Sequence, residues 1–184
     1  MPPITPVDFI RAQDLEGLRG CLQAGADPNK ITRTASSSDL PALTRAIWAE
    51  PPELALEFVR TLLEFGADPN IPESYRPLDY AVANDGTEPI LQLFLDAGAD
   101  PNFTRPGGAR YDTALGTAIR EGSAEIIRLL GQYGTGIQDY AYDPLRPDGD
   151  HWRTFELVRE PTAQWEEVRR ALEELPDRAY KKPE

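Results

Sequence analysis

The pentapeptide Gly-Ala-Asp-Pro-Asn occurs three times in this 184-residue chain, at Gly25–Asn29, Gly66–Asn70 and Gly98–Asn102. Each copy follows an apolar run: Leu18, Cys21 and Leu22; Val59, Leu62 and Leu63; Leu91, Phe94 and Leu95. A degenerate fourth copy, Gly134-Thr135-Gly136, follows Ile127, Leu129 and Leu130. The copies start 41, 32 and 36 residues apart, a period at which a chain stacks supersecondary units into a solenoid. Such an array offers one long surface rather than a catalytic cleft, and that expectation governs the functional reading.

The fourth unit shows the local code most cleanly. Leu115, Ala118 and Ile119 share one helical face, and Gly122 ends that short helix because glycine tolerates the left-handed cap. Ser123 can cap a second helix with Glu125 in its first turn, and Ile126, Ile127, Leu129 and Leu130 line it up to Gly134. Two antiparallel helices joined by a tight turn are expected. Pro28, Pro69 and Pro101 fix φ where the chain leaves each pair, with the flanking Asp and Asn side chains expected on local backbone.

The units resemble the ankyrin repeat, whose signature is Thr-Pro-Leu-His-x-Ala, a Gly-ended helix, a Val-x-x-Leu-Leu helix and Gly-Ala-Asp. The matching openings are Thr5-Pro-Val-Asp-Phe-Ile10, Pro41-Ala-Leu-Thr-Arg-Ala46, Arg76-Pro-Leu-Asp-Tyr-Ala81 and Thr113-Ala-Leu-Gly-Thr-Ala118. The resemblance covers residues 5 to 137 and implies an all-α solenoid of helix-turn-helix units with short hairpin fingers. Repeats are expected near 5–30, 40–71, 75–104 and 111–137, in an array of residues 1–137. The signature His is replaced by Asp8, Thr44, Asp79 and Gly116. In the family this His bonds the signature Thr and ties neighbouring loops, so here that lattice is rebuilt or absent. From signature Leu or Val to closing Gly the units measure 18, 23, 20 and 19 residues. The four extra residues of unit two, near Pro51-Pro52, are expected in its inter-helix turn. Fingers with Ser36-Ser37-Ser38 and Pro106-Gly107-Gly108 are longer than usual.

Residues 138–184 leave the pattern. An aromatic stretch with Tyr140, Tyr142, Trp152 and Phe155 precedes an expected helix capped by Thr162 and stopped by Pro176. Its apolar positions, Trp165, Val168, Leu172 and Leu175, form one stripe. Such a helix either caps the array, since solenoid ends need covering, or docks into a partner's groove.

Composition excludes several functions. The net charge of −12 disfavours phosphate backbones and anionic membranes, and no basic stripe with interleaved aromatics appears. No run of 18 apolar residues spans a membrane, and Met1-Pro2-Pro3-Ile4 does not read as a secretory signal. One cysteine, Cys21, makes neither a disulfide nor a zinc site, which suits a cytoplasmic setting, and its core position makes it inert. Arginine outnumbers lysine 16 to 3, a hint of a bacterial, GC-rich coding sequence. His151 is the lone histidine, so no His–Cys pair or three-histidine metal set is expected, and Gly107-Gly108 belongs to no phosphate-binding motif. No cofactor, metal or enzymatic activity is expected.

What remains is protein binding by a monomer or hetero-complex. In ankyrin arrays the fingers and first helices line a concave face. Carried over, that face holds seven cations and six anions, against a net −9 for the rest of residues 1–137. Its candidate contact residues are Arg33, Arg45, Trp48, Tyr75, Arg76, Asn84, Arg110, Tyr111, Arg120 and Glu121, since exposed aromatics and arginines are the usual anchors. Trp48 either points into that face or packs on the Pro51-Pro52 turn; Tyr80 is assigned to the core between repeats. The expected role is adaptor or inhibitor. A bacterial immunity protein neutralising a toxin is one alternative; a small-molecule or catalytic pocket of Tyr140, Tyr142, His151 and Trp152 is the remote one.

Overall fold

Four times the chain turns back on itself as a pair of helices, in a computed structural model that describes residues 5–30, 40–71, 76–84, 87–103, 113–135, 137–138, 163–175 and 177–178. The pairs are α1 (Pro6–Arg11) with α2 (Leu15–Gln23), α3 (Ala42–Ala46) with α4 (Pro52–Glu64), α5 (Pro77–Val82) with α6 (Glu88–Asp96), and α7 (Ala114–Glu121) with α8 (Ala124–Gln132). A last helix, α9, spans Ala163–Glu173, and the strand pairing among the described residues is one two-residue parallel bridge, β1 (Ile137–Gln138) with β2 (Asp177–Arg178). The fold is all-α, of the ankyrin-repeat type. The hairpin fingers lie outside the described residues.

Each second helix stops by the same device. Gly25, Gly66, Gly98 and Gly134 adopt φ between +83° and +92°, a region costly for any residue with a Cβ. The turn is then closed by a six-to-one bond, Ala26 N–H to Cys21 O, Ala67 to Leu62, Ala99 to Phe94 and Thr135 to Leu130, all 2.9–3.1 Å. Asp27, Asp68 and Asp100 next accept from the N–H two residues on, at 2.7–2.9 Å, as expected of local turn carboxylates.

The asparagines do something the sequence reading missed. Asn29 Nδ2 donates to Gly66 O at 3.1 Å while its Oδ1 accepts from Asp68 N–H at 2.7 Å. Asn70 Nδ2 reaches Gly98 O at 2.8 Å, and Asn102 Nδ2 reaches Gly134 O at 3.2 Å. Each amide therefore ties one repeat end to the next, and the degenerate fourth copy needs no Asn of its own. Asn29→Ala removes two such bonds and is expected to lower unfolding free energy by about 1–3 kcal/mol. Urea titration by circular dichroism checks this; a loss below about 0.5 kcal/mol would deny the amides any tethering role.

The chain divides into two compact units, residues 1–99 and 100–184. In the first, α1, α3 and α5 pack in one row and α2, α4 and α6 in a second. Leu18, Leu43, Phe58, Val59, Leu62, Leu78, Leu91 and Phe94 fill the space between, each with under 2% of its surface exposed. The extra residues of the second repeat enter helix rather than turn: α4 has 13 residues where α2, α6 and α8 have 9. Pro52 at its start is compatible with helix because its missing N–H would have no partner there.

The second unit holds α7, α8 and α9. Ser123 Oγ accepts from Ile126 N–H at 3.3 Å, and Gly122 closes α7 at φ +74°, both as the sequence indicated. Helix α9 lies against α8 and buries Val168, Ala171, Leu172 and Leu175. A Cβ on Gly131 would meet Leu175 Cδ2 at 2.5 Å, so glycine there lets Leu175 close onto α8. At the rim, Arg128 bridges Glu174 at 3.0 Å and Glu167 at 3.3 Å, and these bonds raise its already high pKa. The 137/138 boundary drawn from sequence falls inside this unit.

Candidate functional site

Where the signature histidine would stand, repeats one, three and four make local contacts within a turn instead. In repeat one, Thr5 donates through both its N–H and its hydroxyl to Asp8 Oδ2, each at 2.8 Å. In repeat three, Arg76 stands where the Thr would be and pairs with Asp79 at 3.7 Å. In repeat four, Thr113 Oγ1 accepts from Gly116 N–H at 3.1 Å. Thr44 is fully buried in repeat two.

This rebuilding changes the surface. Arg76 retains only 2% exposure, so it is an internal cation rather than the surface anchor the sequence suggested. The reason is its position: it is the residue before α5, beside Asp79 of the first turn, which draws the guanidinium inward. Arg45, in the last turn of α3, is half-buried. Arg120 donates to Thr117 Oγ1 at 3.0 Å and lies 3.8 Å from Glu121. Arg120 and Glu121 are both exposed, and both belong to the second unit. Arg33, Tyr75, Arg110 and Tyr111 lie outside the described residues, as do Tyr140, Tyr142, His151 and Trp152.

Trp48 and Asn84 are brought together. Trp48 follows α3 and keeps 39% of its surface exposed. Tyr80 meets it edge-to-face, with centroids 5.2 Å apart and planes at 84°, a favoured aromatic geometry. Asn84 Oδ1 accepts from the indole Nε1–H at 3.4 Å, and Asn84 Nδ2 donates back to Tyr80 O. Thr87, which precedes α6, anchors this turn by donating to Asn84 O at 2.8 Å. Tyr80 is thus a half-buried support for Trp48 across the repeat boundary, not a closed core residue.

A signal for this site exists in the repeat register. Counting five residues from the signature Val or Leu gives Ala12, Trp48 and Ala83 in the first three repeats and Arg120 in the fourth, all exposed. One large ring therefore stands between two alanines. The neighbouring turn is pinned by Gln13, whose Nε2 donates to Glu50 O at 3.0 Å. Phe65, at the end of α4, is the other exposed large apolar side chain among the described residues, at 38%.

Chemistry is sparse elsewhere. Among the described residues no three His, Cys, Asp or Glu side chains converge as a metal set, and no described helix is long and apolar enough to cross a membrane. Cys21 is half-buried and donates to Leu18 O at 3.2 Å. Burial pushes its thiol above the ordinary pKa, against a smaller lowering by the Leu22 backbone, so it is a poor nucleophile.

No protein-family profile matches the chain. It is similar to cyclin-dependent kinase inhibitor 2A of Homo sapiens, 35% identical over 82 residues, which are 45% of this chain and 51% of that protein. It is also similar to cyclin-dependent kinase 4 inhibitor B of Rattus norvegicus, 33% identical over 82 residues, covering 45% of this chain and 62% of that one. The chain thus spans between half and two thirds of these relatives.

Proposed function

We propose that this chain is a protein-binding repeat module that acts by occupying a partner, as inhibitor or adaptor, with Trp48 as the anchor of its binding face. The observation that carries this reading is the posture of Trp48: a large ring, 39% exposed, held by Tyr80 and Asn84 between two alanine positions. A ring fixed before binding loses little side-chain entropy when a partner covers it, which is how aromatic anchors gain affinity. The names of both relatives favour inhibition over adaptation and make a cyclin-dependent kinase the first partner to try. Neither name bears on toxin immunity, and the alternative pocket depends on residues outside those described.

The test pairs capture from native lysate with direct titration against a purified cyclin-dependent kinase 4. Trp48→Ala, with helicity unchanged, is expected to weaken the specific partner at least about tenfold. Full affinity in that variant would move the binding face elsewhere. Arg76→Glu is unsuitable as a surface control because its side chain is internal.

A further inference from the structure

The turns around Trp48 carry carboxylates that have no paired cation among the described residues. Glu16, Glu53 and Glu88 each sit in the first turn of a second helix, and Asp14 and Glu50 sit in the turns just before. Four of the five are exposed and Glu88 is half-buried. Among the described residues none of the five forms an ion pair with Lys or Arg, whereas Arg11 is taken by Asp8 and Arg76 by Asp79. Arg45 is the remaining described cation in the row of first helices and is half-buried. Arg76, a surface cation by its sequence position, is internal, so the described part of this edge shows one positive charge fewer than expected.

We infer that the turn edge of the first unit recognises a guanidinium-bearing segment of its partner protein, an arginine side chain laid on the Trp48 indole with Glu50, Glu53 and Glu88 around it. This rests on the reading of Trp48 as the binding anchor and adds the chemistry of what it binds. Three independent observations meet here. Tryptophan offers the best aromatic face to a cation, and arginine is the more frequent cation in such pairs. Ala12 and Ala83 hold the equivalent positions of the neighbouring repeats and present only small side chains. The surrounding charge is unbalanced toward acid, which repels an acidic occupant and steers a basic one. Asn84 and Tyr80 hold the ring from the protein side, so the exposed part is available without rearrangement.

The full-length chain would be titrated with a short uncharged-end peptide holding two arginines, and with the same peptide carrying citrulline, which keeps the shape and loses the charge. The readout is the Trp48 indole N–H resonance, assigned with Trp48→Phe. The arginine peptide is expected to shift that resonance saturably below about 10 mM, and the citrulline peptide at least about fivefold more weakly. The triple variant Glu50→Gln, Glu53→Gln, Glu88→Gln should weaken the arginine peptide several-fold, as should raising salt. Equal binding of the two peptides, no shift up to that concentration, or no change in the triple variant overturns the inference. If such a result comes while Trp48→Ala still abolishes binding of a whole partner, the anchor stands and only the arginine chemistry falls.

Discussion

Replacing Phe58 by alanine is expected to cost about 3–5 kcal/mol of unfolding free energy, the range for deleting a fully buried aromatic ring. Phe58 has no exposed surface and sits on α4, which packs against α2 on one side and α6 on the other as well as α3. The turns that close α2, α4 and α6 are tied together by the Asn29 and Asn70 amides, so collapse into the cavity left by the ring is restricted. With total stabilities of small proteins near 5–15 kcal/mol, this one change would leave the first unit marginal. Urea denaturation followed at 222 nm gives the number, and a loss under about 1 kcal/mol would mean the ring lies in a looser core than described. Phe58→Leu, which keeps most of the volume, should recover the greater part of the loss.

The second large effect belongs to the other unit. Leu172→Ala is expected to destabilise residues 100–184 by about 2–5 kcal/mol. Leu172 is 1% exposed on α9, and with Val168, Ala171 and Leu175 it covers α8, whose Ile127 and Leu130 are fully buried. Removing it opens a void in that contact. The polar rim does not compensate, because the Arg128 pairs with Glu167 and Glu174 are solvent-exposed and such pairs contribute little. Hydrogen exchange resolves the effect by region: amides of α8 and α9 should lose protection together. If α8 keeps its protection while α9 alone loses it, α9 is an ornament on a self-sufficient helical pair rather than its cover.

Much of the architecture is written locally. Each Gly-Ala-Asp-Pro-Asn encodes its own stop: the glycine supplies the left-handed turn, and the aspartate binds the N–H two residues later. These interactions span few residues, so spacing alone is enough to read them. The amphipathic stripe on α9 is legible for the same reason, since Val168, Leu172 and Leu175 are fixed by helical period before any partner is known. The four extra residues of repeat two extend a helix although a Pro-Pro pair reads as a turn, because Pro is equally acceptable at a helix's first positions.

The proposed binding face is less legible. Trp48 is a candidate from sequence because it follows a first helix, where the ankyrin resemblance implies a position on the concave face. Its partners could not be read there, because Tyr80 and Asn84 lie 32 and 36 residues further on and meet it only when repeats two and three stack. The same holds for Arg76: its type suggests a surface anchor, but contact with Asp79 and the closeness of neighbouring repeats turn it inward.

The repeat, its helix stops and the apolar faces are readable residue by residue, because they depend on backbone conformation and period within one unit. Which polar side chains are tethers, which cations are internal and which ring stays exposed emerge only when the repeats stack. Those outcomes depend on stacking distances between units far apart in the chain, where one buried guanidinium or one bridging amide changes what the surface presents.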